Sequence, residues 1–239
     1  MDSNLIIKTF STEWWIYSIL VVIFITAVLV FMRRQEDKNK RFFANALAAI
    51  AFFLIFSWQV YFIFTNNWTP DVSLPLQLCG ISKILGAIIL IKFNQRIFEF
   101  ILLLGMAGAL QAILTPQFEI PVTTYSTIEY YMSHTSILLI PLYLFYVQDR
   151  RVKKFAWLYT FILGITILCA VGIINYFVQG NYIFLCAPPL APNPLLVGSW
   201  PYYLIGFLVF GFINISLFYL IFEKWGKWLD ARKRSTEET

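Results

Sequence analysis

Charge and histidine are scarce in this chain. Only 13% of its residues are charged, against about 25% in a soluble domain, too few to cover a water-facing surface of ordinary size. A single histidine, His134, excludes HExxH and every multi-histidine metal site. There is no GxxxxGK[ST] loop and no GxGxxG after a strand, so nucleotide chemistry has no support. Three cysteines, Cys79, Cys169 and Cys186, are too few and too scattered for a zinc site or a disulfide framework. No metal and no cofactor is therefore expected. Cys169 reads as buried packing in the middle of a span, and Cys186, in the last long loop, could reach Cys79 as a disulfide.

What the chain has instead is apolar length. Hydrophobic residues make up 59% of its 239 positions, gathered in runs near the roughly 20 residues needed to cross a bilayer. The expected fold class is all-α: one polytopic integral membrane domain, residues 1–239, with seven transmembrane helices near 14–32, 43–64, 74–91, 97–114, 128–147, 155–178 and 201–222. The first run is too long for a signal-peptide core and lacks a small-residue cleavage pattern, so it is expected to stay attached. No internal repeat is evident.

The connecting segments alternate in charge. Arg33, Arg34, Lys38, Lys40 and Arg41 follow the first span, Lys92 and Arg96 the third, Arg150 to Lys154 the fifth, and Lys224 to Arg234 the last. The segments 65–73, 115–127 and 179–199 contain no Lys or Arg. Positive charge marks the cytoplasmic side, so the N-terminus is expected outside and residues 223–239 form a cytoplasmic juxtamembrane tail. The net charge of +5 is then an orientation signal facing anionic lipid, and no nucleic-acid partner is expected. Trp225, Trp228 and Leu229 read as an interfacial anchor, and Trp14, Trp15, Trp68, Trp200, Tyr202 and Tyr203 as an aromatic belt on the outer side. The loop from Gly180 to Pro194 carries four prolines and reads either as a semi-rigid lid over the outer mouth or as a connector on the membrane surface. Gly105 and Gly108 should let the fourth helix pack closely on a neighbour, and Pro141 should kink the fifth.

Depth groups the polar residues. At about 1.5 Å per residue, Cys79 lies about 7 Å below the outer end of its span, His134 about 9 Å, Gln59 about 7 Å and Gln111 about 6 Å. Four spans thus carry a polar group in one slab of the outer leaflet, where unpaired polar groups are costly and should face one another or a wet cavity. Cys79, Ser82, Lys83 and Gly86 share one helical face, and Glu129 stands about a turn above His134. Each member has a plainer reading. Cys79 could be a small packing hydrophobe, His134 a satisfied interhelical partner, Gln59 and Gln111 helix–helix ties, and Lys83 could snorkel or pair with a carboxylate.

Taken together, Cys79, His134 and Lys83 suggest a nucleophile–base site: a Cys79 thiolate attacks an ester, His134 takes its proton and Lys83 favours the anion. Gln59, Gln77 or Gln111 would donate to the developing oxyanion. The competing class is a small-solute transporter or receptor-like binding protein using the same pocket; few polar residues in the inner halves beyond Asn45 and Asn214 disfavour a route to the cytoplasm.

Several strings also carry a family resemblance: Leu74-Pro-Leu-Gln-Leu-Cys79, Gln111-Ala-Ile-Leu-Thr-Pro116, Tyr130-Tyr-Met-Ser-His134, Asn175-Tyr176, Asn181 to Leu185 and Trp200-Pro-Tyr-Tyr203. Over most of its length the chain resembles the YwaF-type bacterial integral membrane proteins. That family is distantly similar to a eukaryotic transmembrane cysteine acyltransferase of ether-phospholipid synthesis, and to the androgen-induced, ADTRP-like hydrolases of fatty-acid esters. The resemblance implies residence in a bacterial cytoplasmic membrane, membrane lipids as partners, an acyl-lipid substrate and a reactive pair at Cys79 and His134. Tyr130 and Asn175, which lie in these strings, join Gln59, Gln77, Gln111 and Glu129 as substrate-binding candidates. Where related sequences often have histidine, this chain has Gln77, which removes the second imidazole that a metal or two-histidine mechanism requires.

Overall fold

The computed structural model describes residues 5–190 and 198–237. Among them no strand forms beyond one isolated bridge between Ile6 and Gln117, and seven helices carry the chain. Helix α1 is Thr12–Arg33, α2 Asp37–Phe64 and α3 Leu78–Ile91. Helix α4, Gln95–Leu114, contains a π-helical stretch at Ile101–Gly105. Helix α5, Thr124–Leu142, runs on into a π-helical turn at Tyr143–Val147. Helix α6 is Ala156–Val178 and α7 Tyr203–Glu237. Five of these, α1, α2, α4, α6 and α7, are long and apolar enough to cross a membrane. The protein is therefore a multi-pass helical membrane protein. Helix α3 has only 14 residues, and α5 mixes Ser, Thr, Tyr, Glu129 and His134 into its N-terminal part.

Local chemistry sets the helix ends. Ser11 caps α1 by accepting from the Trp14 amide, and Asn94 caps α4 by accepting from Arg96 and Ile97. A reciprocal Thr123–Ser126 box starts α5 four residues earlier than hydropathy suggests. Helix α3 starts four residues later than expected. Leu74–Gln77 forms a turn folded back onto the helix, so tightly that a Cβ on Gly80 would lie 2.8 Å from the Pro75 carbonyl oxygen. Pro141 cannot donate to the α5 ladder, and the helix widens into its π turn two residues beyond it.

Helices α3, α4 and α5 form the centre, with α2 against α3 and α5. Small residues permit the closest approach: Gly105 faces the Ser82 hydroxyl and Gly108 faces Leu78, placing α4 directly on α3. At the basic end the charges are paired with one another. Arg33 reaches Asp149 at 2.7 Å, Arg151 reaches Asp230 at 2.8 Å and Asp149 at 3.3 Å, and the Arg151 guanidinium also covers the Phe145 carbonyl at 2.8 Å. Buried Glu99 accepts from Gln95, Arg96 and the Lys153 amide, tying α4 to the loop before α6.

Several expectations change. The segment from Glu223 continues α7 as helix to Glu237. Trp225 packs on Phe145, with ring centroids 5.0 Å apart, while Trp228 is exposed under Arg232. Trp14 and Tyr203 are buried ties rather than belt residues: the Trp14 indole donates to the Ile113 carbonyl at 2.8 Å and the Tyr203 hydroxyl to Phe184 at 2.6 Å. Cys169 is exposed on α6 instead of buried, and all three cysteines are free thiols, so Cys186 forms no bond to Cys79.

Candidate functional site

At the end opposite the arginine cluster the helices splay around a cavity of about 380 Å³, within the about 300–1,000 Å³ typical of small-molecule sites. Cys79, Lys83, Gln59, Gln77, Gln111, Glu129, Tyr130 and His134 all line it. Seven stretches contribute wall: α2, the turn into α3 with that helix, α4, the loop at 117–119, α5, the segment from Ile183 to Pro189, and α7.

Cys79 is the second residue of α3. The residue before the helix, Gln77, gives that end no side-chain cap, so the first amides of α3 keep their hydrogen-bonding capacity beside the thiol. His134 lies on α5. Its Nδ1 is 2.6 Å from the Tyr130 carbonyl oxygen; a carbonyl only accepts, so Nδ1 carries the proton and Nε2 keeps its lone pair. The Tyr130 ring covers the imidazole at a centroid distance of 4.1 Å, and its hydroxyl donates to the Ala112 carbonyl at 2.8 Å, which fixes both rings against α4.

Lys83 pairs with a carboxylate, the plainer of its two readings. Its ammonium donates to Glu129 Oε1 at 3.0 Å and to Ser133 Oγ at 2.9 Å, and Ser133 in turn donates a short hydrogen bond to the same carboxylate. All three residues are buried. The pair neutralises itself and locks α3 to α5, so Lys83 is a support of the cavity floor before it is a partner of the thiol.

The amides divide by how much capacity they retain. Gln59 donates to the Ser73 carbonyl at 2.8 Å and accepts from the Trp68 indole at 2.9 Å, which uses both ends of its side chain on the loop before α3. Gln77 accepts from the Ile183 amide at 2.8 Å and hydrogen-bonds Glu119. Gln111 bonds only locally, to the Thr115 hydroxyl at 3.1 Å, and is the amide most open to the cavity. Asn175 lies outside the lining. Its side chain pairs with both the amide and the carbonyl of Tyr182, at 2.9 and 3.0 Å, pinning a turn in which Ile183 and Phe184 adopt left-handed backbone angles. That turn, with Pro189, brings the start of the proline-rich loop onto the cavity wall. Pro192 and Pro194, half of the expected lid, fall outside the described residues.

Glu119, Ser133 and Phe207, Phe210 and Gly211 of α7 were not singled out from the sequence, and Asn214, expected in an inner half, lies on the same α7 strip; all line the cavity. Glu119 had a signal: it is the one charged residue in a segment without Lys or Arg. Its side chain is exposed by surface area, and the face it exposes belongs to the cavity wall, with protein packed around it. That enclosure pushes its carboxyl up to about 7, against the Gln77 hydrogen bond that favours the anion. Among the described residues it forms no ion pair.

The arrangement offers a thiol at a helix N-terminus, an imidazole with a fixed tautomer, a carboxyl poised near neutrality and an apolar extension along α4 and α7. No curated protein and no solved structure matches the chain. The TMEM164 family profile matches residues 9–220, which contain every position lining the cavity. On that match the chain belongs to the TMEM164 family.

Proposed function

We propose that this chain is a membrane-embedded acyltransferase or lipid-ester hydrolase with Cys79 as nucleophile and His134 as general base. The observation that carries the reading is that the thiol and the imidazole, from two different helices, line one cavity whose remaining wall is mostly apolar. Its location inside an apolar helical bundle favours an acyl ester of a membrane lipid as substrate.

In the proposed reaction His134 Nε2 takes the Cys79 proton and the thiolate attacks the ester carbonyl carbon. The uncapped first turn of α3 offers amides to the carbonyl oxygen as it becomes anionic. Gln111 is the side-chain donor with free capacity for the same oxygen. The ester C–O bond then breaks, the departing alkoxide takes the proton from His134, and the acyl group remains as a thioester on Cys79. An alcohol gives transfer and water gives hydrolysis; in both, His134 takes the attacking hydroxyl's proton and returns it to sulfur as the thioester opens.

The proposal includes a topology of seven crossings, with the N-terminus and the cavity outside and the C-terminus in the cytoplasm. The basic residues clustered at the end opposite the cavity support it. The proposal also includes residence in a bacterial cytoplasmic membrane, which the resemblance to YwaF-type proteins supports. An acyl-ester activity probe tests the chemistry: Cys79→Ala should abolish covalent labelling, and His134→Gln should slow it by about 10²–10⁴-fold. Undiminished labelling of both variants, at equal expression, rejects the mechanism.

A further inference from the structure

Helix α7 is held at both ends and left unfilled in the middle. At the cavity end the Tyr203 hydroxyl is anchored on the Phe184 carbonyl. At the other end Phe222 and Trp225 pack on Phe145, each at 5.0 Å, and Asp230 pairs with Arg151. One flank is also fixed, because Trp157 and Phe161 of α6 meet Phe212 edge-on at 5.9 and 5.2 Å. Between these anchors Phe207, Gly211 and Asn214 follow an i, i+4, i+7 pattern along the cavity side. A Cβ built on Gly211 has no heavy atom within 4 Å, whereas one on Gly108 across the cavity already meets Leu78 at 3.0 Å. The strip from Phe207 to Asn214 and the facing strip from Leu104 to Gln111 each run about 10 Å at 1.5 Å per residue.

Asn214 donates to the Phe210 carbonyl of its own helix, and the rest of this space, Phe207, Phe210 and Gly211 against Leu104, Ala107 and Gly108, presents hydrocarbon and aromatic surface. Protein interiors are close-packed and tolerate few large voids. An apolar space in a bundle surrounded by lipid tails is therefore filled, and an acyl chain is the apolar, flexible occupant that the surroundings supply.

We infer that the space between α4 and α7 is a binding slot for a long acyl chain, with Gly211 setting how much chain it accepts. This builds on the lipid-ester reading for where the chain begins: the ester lies at the polar end, beside Cys79 and His134, and the tail descends between Leu104, Ala107 and Gly108 on one side and Phe207, Phe210 and Gly211 on the other. A side chain at position 211 starts into open space, since its Cβ meets no heavy atom within 4 Å, so leucine there extends into the slot and shortens the accepted chain.

The test uses the full-length protein in nanodiscs and phospholipids with a diazirine at the end of an acyl chain, one of palmitoyl and one of octanoyl length. Wild type and Cys79→Ala should both crosslink the palmitoyl probe to peptides containing residues 104–111 or 207–214. Gly211→Leu should lose about tenfold or more of that signal, the cost of displacing a few buried methylenes, while retaining the octanoyl signal. Gly211→Ala should fall between, and Ile213→Phe, which adds bulk on the exposed flank of α7, should match wild type. Equal thermal melting of Gly211→Leu and wild type separates occlusion from misfolding. Crosslinks spread over the lipid-facing surface and unaffected by Gly211→Leu overturn the slot. Slot crosslinks without any ester reactivity leave the slot standing and remove the catalytic reading.

Discussion

Asp149 and Glu119 stand in loops at the two ends of α5, and their carboxyls move in opposite directions. Burial by itself raises both. At Asp149 the guanidinium groups of Arg33 and Arg151 outweigh burial and hold the carboxyl below its usual range. At Glu119 no cation intervenes closely enough, and the carboxyl rises to about 7. One end of the bundle thus spends its charges on holding helices together, pairing Asp149 and Asp230 with arginines and Glu99 with Arg96 and the Lys153 amide. The other end leaves a carboxyl without an ion pair among the described residues, an imidazole nitrogen, a thiol and an amide facing a cavity. A membrane protein whose polar groups are all satisfied has none left for a ligand. Here the satisfied groups and the available ones are separated by the length of α5.

The Lys83–Glu129 pair is the exception, a latch inside the open end, and breaking it tests the contrast most severely. Lys83→Met leaves Glu129 buried without its partner and should destabilise the protein by about 3–5 kcal/mol, read from denaturant midpoints in mild detergent. Adding Glu129→Gln should recover much of that loss; a double variant as unstable as the single one would mean that the two side chains do not act as a unit. Arg151→Ala at the paired end should cost about 1–2 kcal/mol, since its contacts are partly exposed, and should leave acyl-probe labelling unchanged. A large fall in labelling with intact folding would erase the division between the two ends.

The smallest effect concerns pH. The Glu119 carboxyl is raised in the fold from 4.5 to about 7, so below about 4.5 both folded and unfolded forms are protonated and nothing is lost. As pH climbs from there to about 7 the unfolded form ionises first and stability declines, levelling above that. Glu119→Gln should flatten this slope between pH 5 and 7, as measured by thermal melts across a buffer series; an unchanged slope would place the titration on another group.

The apolar runs were legible because hydrocarbon demands length and composition together, and α1, α2, α4 and α6 end within a few residues of where hydropathy suggests. The start of α3 was not, because Leu74-Pro-Leu-Gln is apolar enough to pass as helix, and only the approach of Pro75 to Gly80 turns it aside. Helix α7 outran its expected end because Trp225 and Asp230 have partners on the α5 end that no local pattern reveals. In the site, His134 and Cys79 stood out by rarity, which does not depend on contacts. Asn175 looked similar but is occupied by the Tyr182 backbone, and that turn requires left-handed residues which are not glycine. Gly211 carries no side chain to signal anything; its meaning comes from what α4 and α6 leave around it.

The buried ion pair has a further consequence for biogenesis. A helix of 14 residues reaches about 21 Å, short of the about 30 Å hydrocarbon core, and a lysine near its middle adds about 2.5–3.5 kcal/mol to insertion. Lys83 precedes Glu129 by 46 residues, so α3 leaves the ribosome before its counter-charge has been synthesised. If α3 crosses the membrane as proposed, its stable integration waits for α5, and ribosome-stalled chains truncated between the two helices should hold α3 loosely at the translocon.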